Sequence, residues 1–257
     1  MFDSHCHLQD RRIVDSVDDI ISKARRAGVD GFLCCGTTEN DWADVAKIGA
    51  IHSGAICAFG IHPWYVDEVS DGWDDVLKKY IADDNRAAIG EIGLDNTVKP
   101  RNDNRQIDIF VRQLEIADEL KRPVSIHCRR AWESILKILK ARGGLRYGGA
   151  IHSYSGPAEL VDELQKLGCH ISFSGSIIND KNKRAAESLK KVSPNRLLVE
   201  TDSPDILPPN IPGPTNEPAN LQLIINKIAE ITEKAPEEIT SLTRENGMRL
   251  FINPARQ

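Results

Sequence analysis

Short apolar runs alternate along the chain with segments whose apolar residues recur at helical spacing. The segment at residues 15–27 has apolar side chains at Val17, Ile20 and Ala24, which lie on one face of a helix, and Gly28 ends it. The apolar run at residues 31–35 follows, and such runs are typical of strands buried on both faces. The same alternation predicts further strands at residues 55–61, 87–90, 123–126, 149–151, 169–173 and 196–199, each followed by a helical segment.

Together with an extended stretch at the N-terminus, these runs make about eight strand–helix units, which indicate a parallel sheet covered by helices. That number of units in 257 residues matches the size of one barrel. We therefore predict an α/β fold with a single (β/α)8 TIM-type barrel domain over residues 1–257. A doubly wound open sheet is the alternative, and it is less favoured because no glycine-rich phosphate-binding motif follows the first strand.

The composition is that of an ordinary soluble enzyme. Charged residues make up 28% of the chain and the formal net charge is -5, which excludes nucleic-acid binding by bulk positive charge but not by local basic patches. No apolar run approaches the ~20 residues that cross a bilayer, and no leader-like segment begins the chain. The six cysteines form no CxxC pair, so we expect buried free thiols in a reducing compartment. We expect a cytoplasmic location, with the nucleus as the alternative, and neither membrane association nor an obligate protein partner.

Residues that can bind metal fall at the ends of the predicted strands. His5 and His7 are one residue apart, so both side chains point to the same face of an extended strand. The other strand ends carry His62, Glu91, His127, His152 and Asp202. In a barrel these ends converge on one mouth, where the chemistry of this fold is found. The remaining histidines, His52 and His170, lie elsewhere, and we interpret them as structural.

Imidazoles and carboxylates together suit one or two divalent ions. Zinc, manganese or iron would fit these donors, and magnesium would fit if water completed its shell. A carboxylate such as Glu91 can bridge two ions ~3.5–4 Å apart, and such a centre activates a bound water molecule at neutral pH. The donor set therefore predicts a hydrolase.

Eight short motifs, spread in order over nearly the whole chain, resemble those of the TatD family of metal-dependent deoxyribonucleases, which belongs to the amidohydrolase-like barrels. The motifs occupy residues 3–8 (DSHCHL), 60–63 (GIHP), 89–95 (IGEIGLD), 125–129 (SIHCR), 151–156 (IHSYSG), 200–204 (ETDSP), 216–220 (NEPAN) and 246–251.

This resemblance implies a TIM-type barrel with two ion sites that share Glu91. The first would be formed by His5, His7, Glu91 and Asp202, and the second by Glu91, His127 and His152. Asp202 and Glu91 would be the catalytic residues, with Asp202 accepting the proton of the attacking water. His62 would face the substrate phosphate, and Ser203 is a further predicted substrate contact.

The activity that the resemblance implies is 3′→5′ exonuclease or general DNase action on single strands or 3′ ends of DNA, in DNA degradation or repair. The reaction would use one or two divalent ions, magnesium or manganese for activity, with zinc as a further candidate.

Basic and aromatic residues near the mouth fit an anionic substrate. Arg129 and Arg130 follow His127 directly, and guanidinium groups suit phosphate oxygens. The loop after Glu91 adds Lys99, Arg101 and Arg105, for which a solvated surface role is favoured. The basic stretch at residues 181–191 is interpreted as one face of an outer helix. Trp64, Tyr65 and Tyr154 are candidates for stacking on bases, whereas Trp73 is predicted to lie in the core.

Three positions depart from the usual family pattern. Asn96 replaces a common aromatic residue, Arg130 replaces a common acidic one, and residues 211–215 (IPGPT) replace a basic loop element. The last change removes positive charge from the mouth but leaves the residues of the predicted metal sites in place. Two alternatives follow: a hydrolase of another ester or amide, such as D-aminoacyl-tRNA, and a binding protein that keeps the barrel without turnover.

Overall fold

Eight parallel strands form a nearly closed barrel in the computed structural model, which describes residues 1–252. Each strand pairs with the next one along the chain, in the order β1 to β8. The predicted barrel class is therefore confirmed, and the open-sheet alternative is wrong. The strands are Phe2–Cys6, Gly31–Cys35, Ala55–Phe59, Ala88–Asp95, Val124–Arg129, Gly149–Ile151, Cys169–Phe173 and Leu197–Val199 (β1–β8).

Helices follow the strands and cover the outside of the barrel. The segment predicted at residues 15–27 forms an α-helix from Val17 to Arg26, after a 3-10 turn at Val14–Ser16, and the basic helix is shorter than residues 181–191. The helices are Val17–Arg26, Trp42–Ile51, Trp73–Asp83, Asp103–Leu120, Trp132–Ala141, Val161–Lys166, Lys183–Leu189, Leu221–Thr232 and Pro236–Phe251 (α1–α9). The prediction of one domain over residues 1–257 stays a prediction, and residues 253–257 lie outside the described part.

Strand β4 continues beyond its predicted end at Gly90. The strand runs on to Asp95, with an irregular register between Ile89 and Ile92. Gly93 adopts a φ of +145°, and a Cβ atom at this position would lie 2.0 Å from the carbonyl oxygen of His127. Glycine therefore lets β4 stay close to β5 as far as Asp95. As a result, Glu91 lies inside a strand rather than at its end.

Alternating side chains divide the core into two parts. Along β2, Phe32 and Cys34 pack outward against the helices, whereas Leu33 and Cys35 face the barrel interior. The interior is closed at the amino-terminal ends of the strands by α9, whose Phe251 stacks on Phe2 of β1 with ring centroids 6.3 Å apart. The opposite end carries the loops that follow the strands, and these loops form the mouth.

The barrel closes at its upper end through backbone hydrogen bonds between β1 and the chain after β8. The amide of Asp202 donates to the carbonyl oxygen of His5 at 3.0 Å, and the amide of His7 donates to that of Ser203 at 2.6 Å. These bonds fix the first two predicted ligands against Asp202.

Below this point a buried carboxylate joins β1 to the chain after β8. Asp3 accepts a hydrogen bond from the amide of Thr201 at 2.9 Å and another from its hydroxyl at 2.5 Å. Burial raises the pKa of Asp3 to about 7, although the bonds from Thr201 oppose this rise. We call this contact between Asp3 and Thr201 the seam.

Several other predictions are tested by burial. All six cysteines are free and buried, as expected, and Trp73 lies in the core. None of the helices in the described part of the chain combines the length and apolar character that crossing a bilayer requires. The expected cytoplasmic or nuclear location and the absence of an obligate partner stay predictions.

Candidate metal centre

Five imidazoles surround the buried carboxylate of Glu91. Its Oε1 lies 2.8 Å from Nε2 of His152, 2.9 Å from Nδ1 of His127 and 3.4 Å from Nε2 of His62. Its Oε2 lies 3.4 Å from Nε2 of both His5 and His7. Each oxygen of one carboxylate therefore faces its own group of imidazoles, which is the arrangement that a bridging ligand requires.

Asp202 completes the group around His5 and His7. Its Oδ1 lies 3.6 Å from Nε2 of His7 and 3.9 Å from Nε2 of His5. Asp202 has a φ of +57°, a left-handed conformation that aspartate tolerates better than most residues. The structure thus brings together all six donors that the sequence predicted.

The outer nitrogens of three histidines face hydrogen-bond acceptors. Nδ1 of His7 lies 2.7 Å from the carbonyl oxygen of Cys35, Nε2 of His127 lies 3.3 Å from Asp95 Oδ2, and Nδ1 of His152 lies 3.3 Å from Glu200 Oε1. Since an acceptor holds the proton of a neutral imidazole on the outer nitrogen, the inner nitrogen keeps a free lone pair. These three inner nitrogens are therefore prepared to bind metal.

His5 has a similar outer partner. The hydroxyl of Ser125 lies 2.9 Å from Nδ1 and can accept its proton. Nε2 of His5 then faces Nε2 of His7 at 3.2 Å, just as Nδ1 of His127 faces Nε2 of His152 at 3.1 Å. Two lone pairs at such distances repel each other unless a cation lies between them. The donor set fits one divalent ion at each pair.

His62 has the opposite arrangement. Its Nδ1 accepts a hydrogen bond from the amide of Trp64 at 3.1 Å, so a neutral ring carries its proton on Nε2. Nε2 points toward Glu91, but a protonated nitrogen cannot bind metal. Although His62 groups with Glu91 and His127 by distance, its tautomer suits it to donate a hydrogen bond to an anionic ligand.

The carboxylates of the centre are ionised at neutral pH. Burial opposes ionisation of Asp202, but the imidazoles around it, His7 first among them, outweigh burial and lower the pKa of Asp202 to about 2. The imidazoles around Glu91 likewise outweigh burial and lower its pKa well below the ordinary value. Burial also opposes the charged form of His7, yet Asp202 and Glu91 raise its pKa to about 9. Because the same field attracts protons and cations, protons compete for the metal positions.

The predicted substrate contacts occupy different positions. Arg129 and Arg130 are exposed at the mouth, and neither makes an ion pair within residues 1–252. Ser203 is fully buried, and its hydroxyl donates to the carbonyl oxygen of Asn216 at 2.9 Å. This placement does not support the predicted contact of Ser203 with substrate, because its side chain holds the loop instead. Arg101 pairs with Asp103 on the surface, in agreement with its predicted solvated role.

The three aromatic candidates also differ. Tyr154 is buried and its hydroxyl donates to the carbonyl oxygen of Pro157 at 2.8 Å, so the prediction that it stacks on a base is wrong. Tyr65 is half-buried, whereas Trp64 is 53% exposed. Trp64 is therefore the aromatic candidate that offers a free ring face.

A cavity of about 370 Å³ opens between the loops that follow β7 and β8. Among the residues that line this cavity, only Lys181 is charged. This agrees with the sequence of residues 211–215, which lacks the basic element predicted from the family pattern. The hydroxyl of Ser176, which lines this cavity, is linked through Ser174 to Ser153, the residue after His152.

The family model described as TatD related DNase matches residues 2–252 of this chain. The chain belongs to the TatD family. Its relatives include the uncharacterized metal-dependent hydrolase YabD of Bacillus subtilis (strain 168), which is 32% identical over 253 residues, 98% of each protein. The 3'-5' ssDNA/RNA exonuclease TatD of Erwinia billingiae (strain Eb661) is 29% identical, over 99% of this chain and 100% of that protein.

Among solved structures, the TatD homologue YjjV from Escherichia coli K12 superposes with a TM-score of 0.93. It is 25% identical, and the match covers 98% of this chain and 97% of that one. TatD family membership makes this protein a metal-dependent hydrolase, and the six converging donors form its candidate metal centre.

Sequence reasoning missed the outer partners of the metal donors in this TatD barrel. Asp95 closes the motif at residues 89–95 and Glu200 opens the motif at residues 200–204, so both stood in stretches that resemble the family. Neither position showed which histidine it would contact. Glu200 also accepts a hydrogen bond from the amide of Ser153 at 2.6 Å. The backbone of Ser153 has a φ of +42°.

Proposed function

We propose that this TatD protein is a metal-dependent 3′→5′ exodeoxyribonuclease that acts on single-stranded DNA or 3′ ends. The observation that carries the proposal is the pair of imidazole groups that share the carboxylate of Glu91 at an open mouth. Relatives named 3'-5' ssDNA/RNA exonuclease support the same activity. The removal of nucleotides from 3′ ends would serve DNA degradation or repair.

His5, His7, Glu91 and Asp202 would hold one divalent ion, and Glu91, His127 and His152 would hold a second. Magnesium or manganese would serve for activity, and the donors also suit zinc. When bound, such ions supply Lewis acidity toward a phosphodiester and lower the pKa of a water molecule.

The protein's own groups have separate roles around the scissile phosphate. The ionised carboxylate of Asp202 would accept the proton of the attacking water. The Nε2–H group of His62 would donate to a phosphate oxygen, because its tautomer leaves this nitrogen as a donor. The exposed guanidinium groups of Arg129 and Arg130 would bind neighbouring phosphates of the strand.

The test is turnover of 5′-labelled single-stranded DNA with magnesium or manganese, with and without EDTA. We expect stepwise shortening from the 3′ end that requires metal. Asp202→Asn should lower the rate by about 10²–10⁴-fold, since it removes the proton acceptor. Asp205→Asn is the matched control, because Asp205 lies three residues away and pairs with Arg12 on the surface. Intact DNA after incubation with metal-loaded wild-type protein would refute the proposal.

A second candidate is hydrolysis of another ester or amide at the same centre, such as D-aminoacyl-tRNA. The cavity between the loops after β7 and β8 favours it, since a single charged side chain, Lys181, lines this cavity. Parallel turnover of DNA and of an aminoacyl-tRNA panel separates the candidates, and faster cleavage of DNA counts against the second. A non-catalytic barrel is disfavoured because all six predicted donors converge.

A further inference from the structure

Trp64 presents an indole ring to solvent at the mouth of the barrel. It follows β3 by five residues, and 53% of its surface is exposed. The other exposed large apolar side chains among residues 1–252 are all aliphatic. An indole left in water beside a metal centre is unfavourable for the protein alone, but it provides a flat face for a ligand.

The polar edge of the same ring is bound inside the protein. The indole N–H donates to Asp95 Oδ2 at 2.8 Å, and the same oxygen lies 3.3 Å from Nε2 of His127. The backbone amide of Trp64 donates to Nδ1 of His62. The rings of Trp64 and His62 are nearly perpendicular, with centroids 4.9 Å apart. Trp64 therefore contacts Asp95, which orients the predicted metal ligand His127, and also His62, the predicted phosphate donor.

Both oxygens of the Asp95 carboxylate accept two hydrogen bonds each, and Trp64 supplies one of the four donors. Asp95 Oδ1 accepts the amide of Thr97 at 2.7 Å and the hydroxyl of Thr97 at 2.6 Å. Burial would raise the pKa of Asp95, but the hydrogen bonds from His127, Thr97 and Trp64 together lower it. The indole N–H and the imidazole N–H therefore share Oδ2, and the loss of the indole leaves the position of the carboxylate less restricted.

We propose that Trp64 is the platform on which a nucleobase next to the scissile phosphate stacks, and that its indole N–H positions His127 through Asp95. The proposal rests on the proposed nuclease function and names a base subsite for it. The exposed ring lies beside His62, the predicted phosphate donor, and a base is separated from its phosphate by a single sugar. Stacking on an aromatic face tolerates every base, as an exonuclease without sequence preference requires.

Two variants separate the two roles. Trp64→Leu removes the ring and the N–H, whereas Trp64→Phe keeps an aromatic face and removes only the N–H. Ile51→Ser is the control, because Ile51 is an exposed apolar residue on α2, outside the mouth. Because Trp64 is exposed, we expect all three variants to fold, which circular dichroism checks.

The stacking role is measured as binding of fluorescein-labelled oligothymidylate in EDTA, where no cleavage occurs. Trp64→Leu should weaken binding by about ten- to a hundredfold, and Trp64→Phe by less than about threefold. The difference between wild type and Trp64→Leu should disappear for a strand whose 3′-terminal nucleotides are abasic. Equal binding of the intact strand by wild type and Trp64→Leu would overturn the stacking role.

The positioning role is measured as manganese affinity without nucleic acid and as the split between kcat and KM. Trp64→Phe should weaken the second manganese ion by about tenfold and lower kcat with little change in KM. Unchanged manganese binding in Trp64→Phe would overturn this role. If wild-type protein binds single strands through Trp64 but cleaves none, the nuclease proposal fails while the base subsite stands.

Discussion

At the scale of single residues, the chemistry of the centre depends on atoms that do not face the metal positions. His7, His127 and His152 direct their outer nitrogens at acceptors, whereas His62 directs its Nδ1 at a donor. Histidine therefore has two roles in this centre. Three of these imidazoles offer a lone pair to a metal ion, and the fourth offers an N–H group to an anion. Hydrogen bonds to the far side of each ring, rather than distance to Glu91, make this distinction.

Glu200 allows this distinction to be tested. Glu200→Gln keeps the size of the side chain but removes the charge that faces Nδ1 of His152 at 3.3 Å. We expect affinity for manganese to fall by about 10–100-fold, because the outer partner fixes the tautomer and raises the basicity of the ligand. Titration calorimetry measures this change. Glu230→Gln on α8 serves as the control, and an equal affinity in both variants would contradict the role of Glu200.

At the scale of elements, the weakest pairing in the barrel lies where its first and last strands meet. Neighbouring strands elsewhere form parallel ladders, two of them with a register shift, whereas β1 and β8 are joined by a few backbone bonds and by the seam of Asp3 and Thr201. The proposed ligands His5 and Asp202 lie directly above this seam. The stability of the closure therefore decides how accurately the two halves of the first proposed ion site meet.

Thr201→Val should lower the free energy of unfolding by about 1–3 kcal/mol, because it leaves a buried carboxylate oxygen of Asp3 without its donor. Thr201→Ser keeps the hydroxyl and should retain most of the stability. Urea denaturation of both variants in EDTA measures the difference. Unchanged stability of Thr201→Val, or a larger loss in Thr201→Ser than in Thr201→Val, would contradict the role of this hydrogen bond.

At the scale of the whole molecule, a histidine remote from the mouth affects stability in acid. His170 on β7 is buried, and Arg196 lies 3.4 Å from its Nδ1. Burial, with the charge of Arg196, lowers the pKa of His170 to about 3. The unfolded chain binds a proton near pH 6.5 but the folded chain does not, so the stability that this group contributes is present above pH 6.5 and is lost as the pH falls toward 3.

Between pH 7.5 and pH 5, wild-type protein should therefore lose about 2 kcal/mol more unfolding free energy than His170→Gln, which cannot titrate. Both proteins are compared in EDTA, so that the metal ligands contribute equally to each. Urea denaturation across this pH range measures the slopes. Parallel slopes would mean that His170 accepts a proton in the folded state.

The number of strands and the end of the barrel that carries the donors could be predicted from the sequence, whereas the exact end of β4 and the contacts between loops could not. His127, His152 and Asp202 come at or just beyond the ends of predicted strands, and the parallel strands of a barrel bring these ends together. Whether a side chain at such an end faces the mouth depends on loops distant in sequence, which is why Tyr154 and Ser203 are buried under neighbours that no local pattern indicated. For the same reason, the partners Asp95 and Glu200 became visible only in three dimensions.

The closed lower end of the barrel has a consequence for how a polymer would be handled. Among residues 1–252, α9 closes the lower end of the interior with Phe251 against Phe2, so the barrel that these residues form offers a strand no passage from the mouth to the lower end. A DNA substrate of the proposed nuclease would have to arrive, and the released nucleotide would have to depart, along the same route. A strand bound in a site that is closed at one end has to withdraw so that the released nucleotide can leave before the next phosphodiester reaches the centre. We therefore expect the strand to dissociate between cleavages, which is distributive rather than processive shortening.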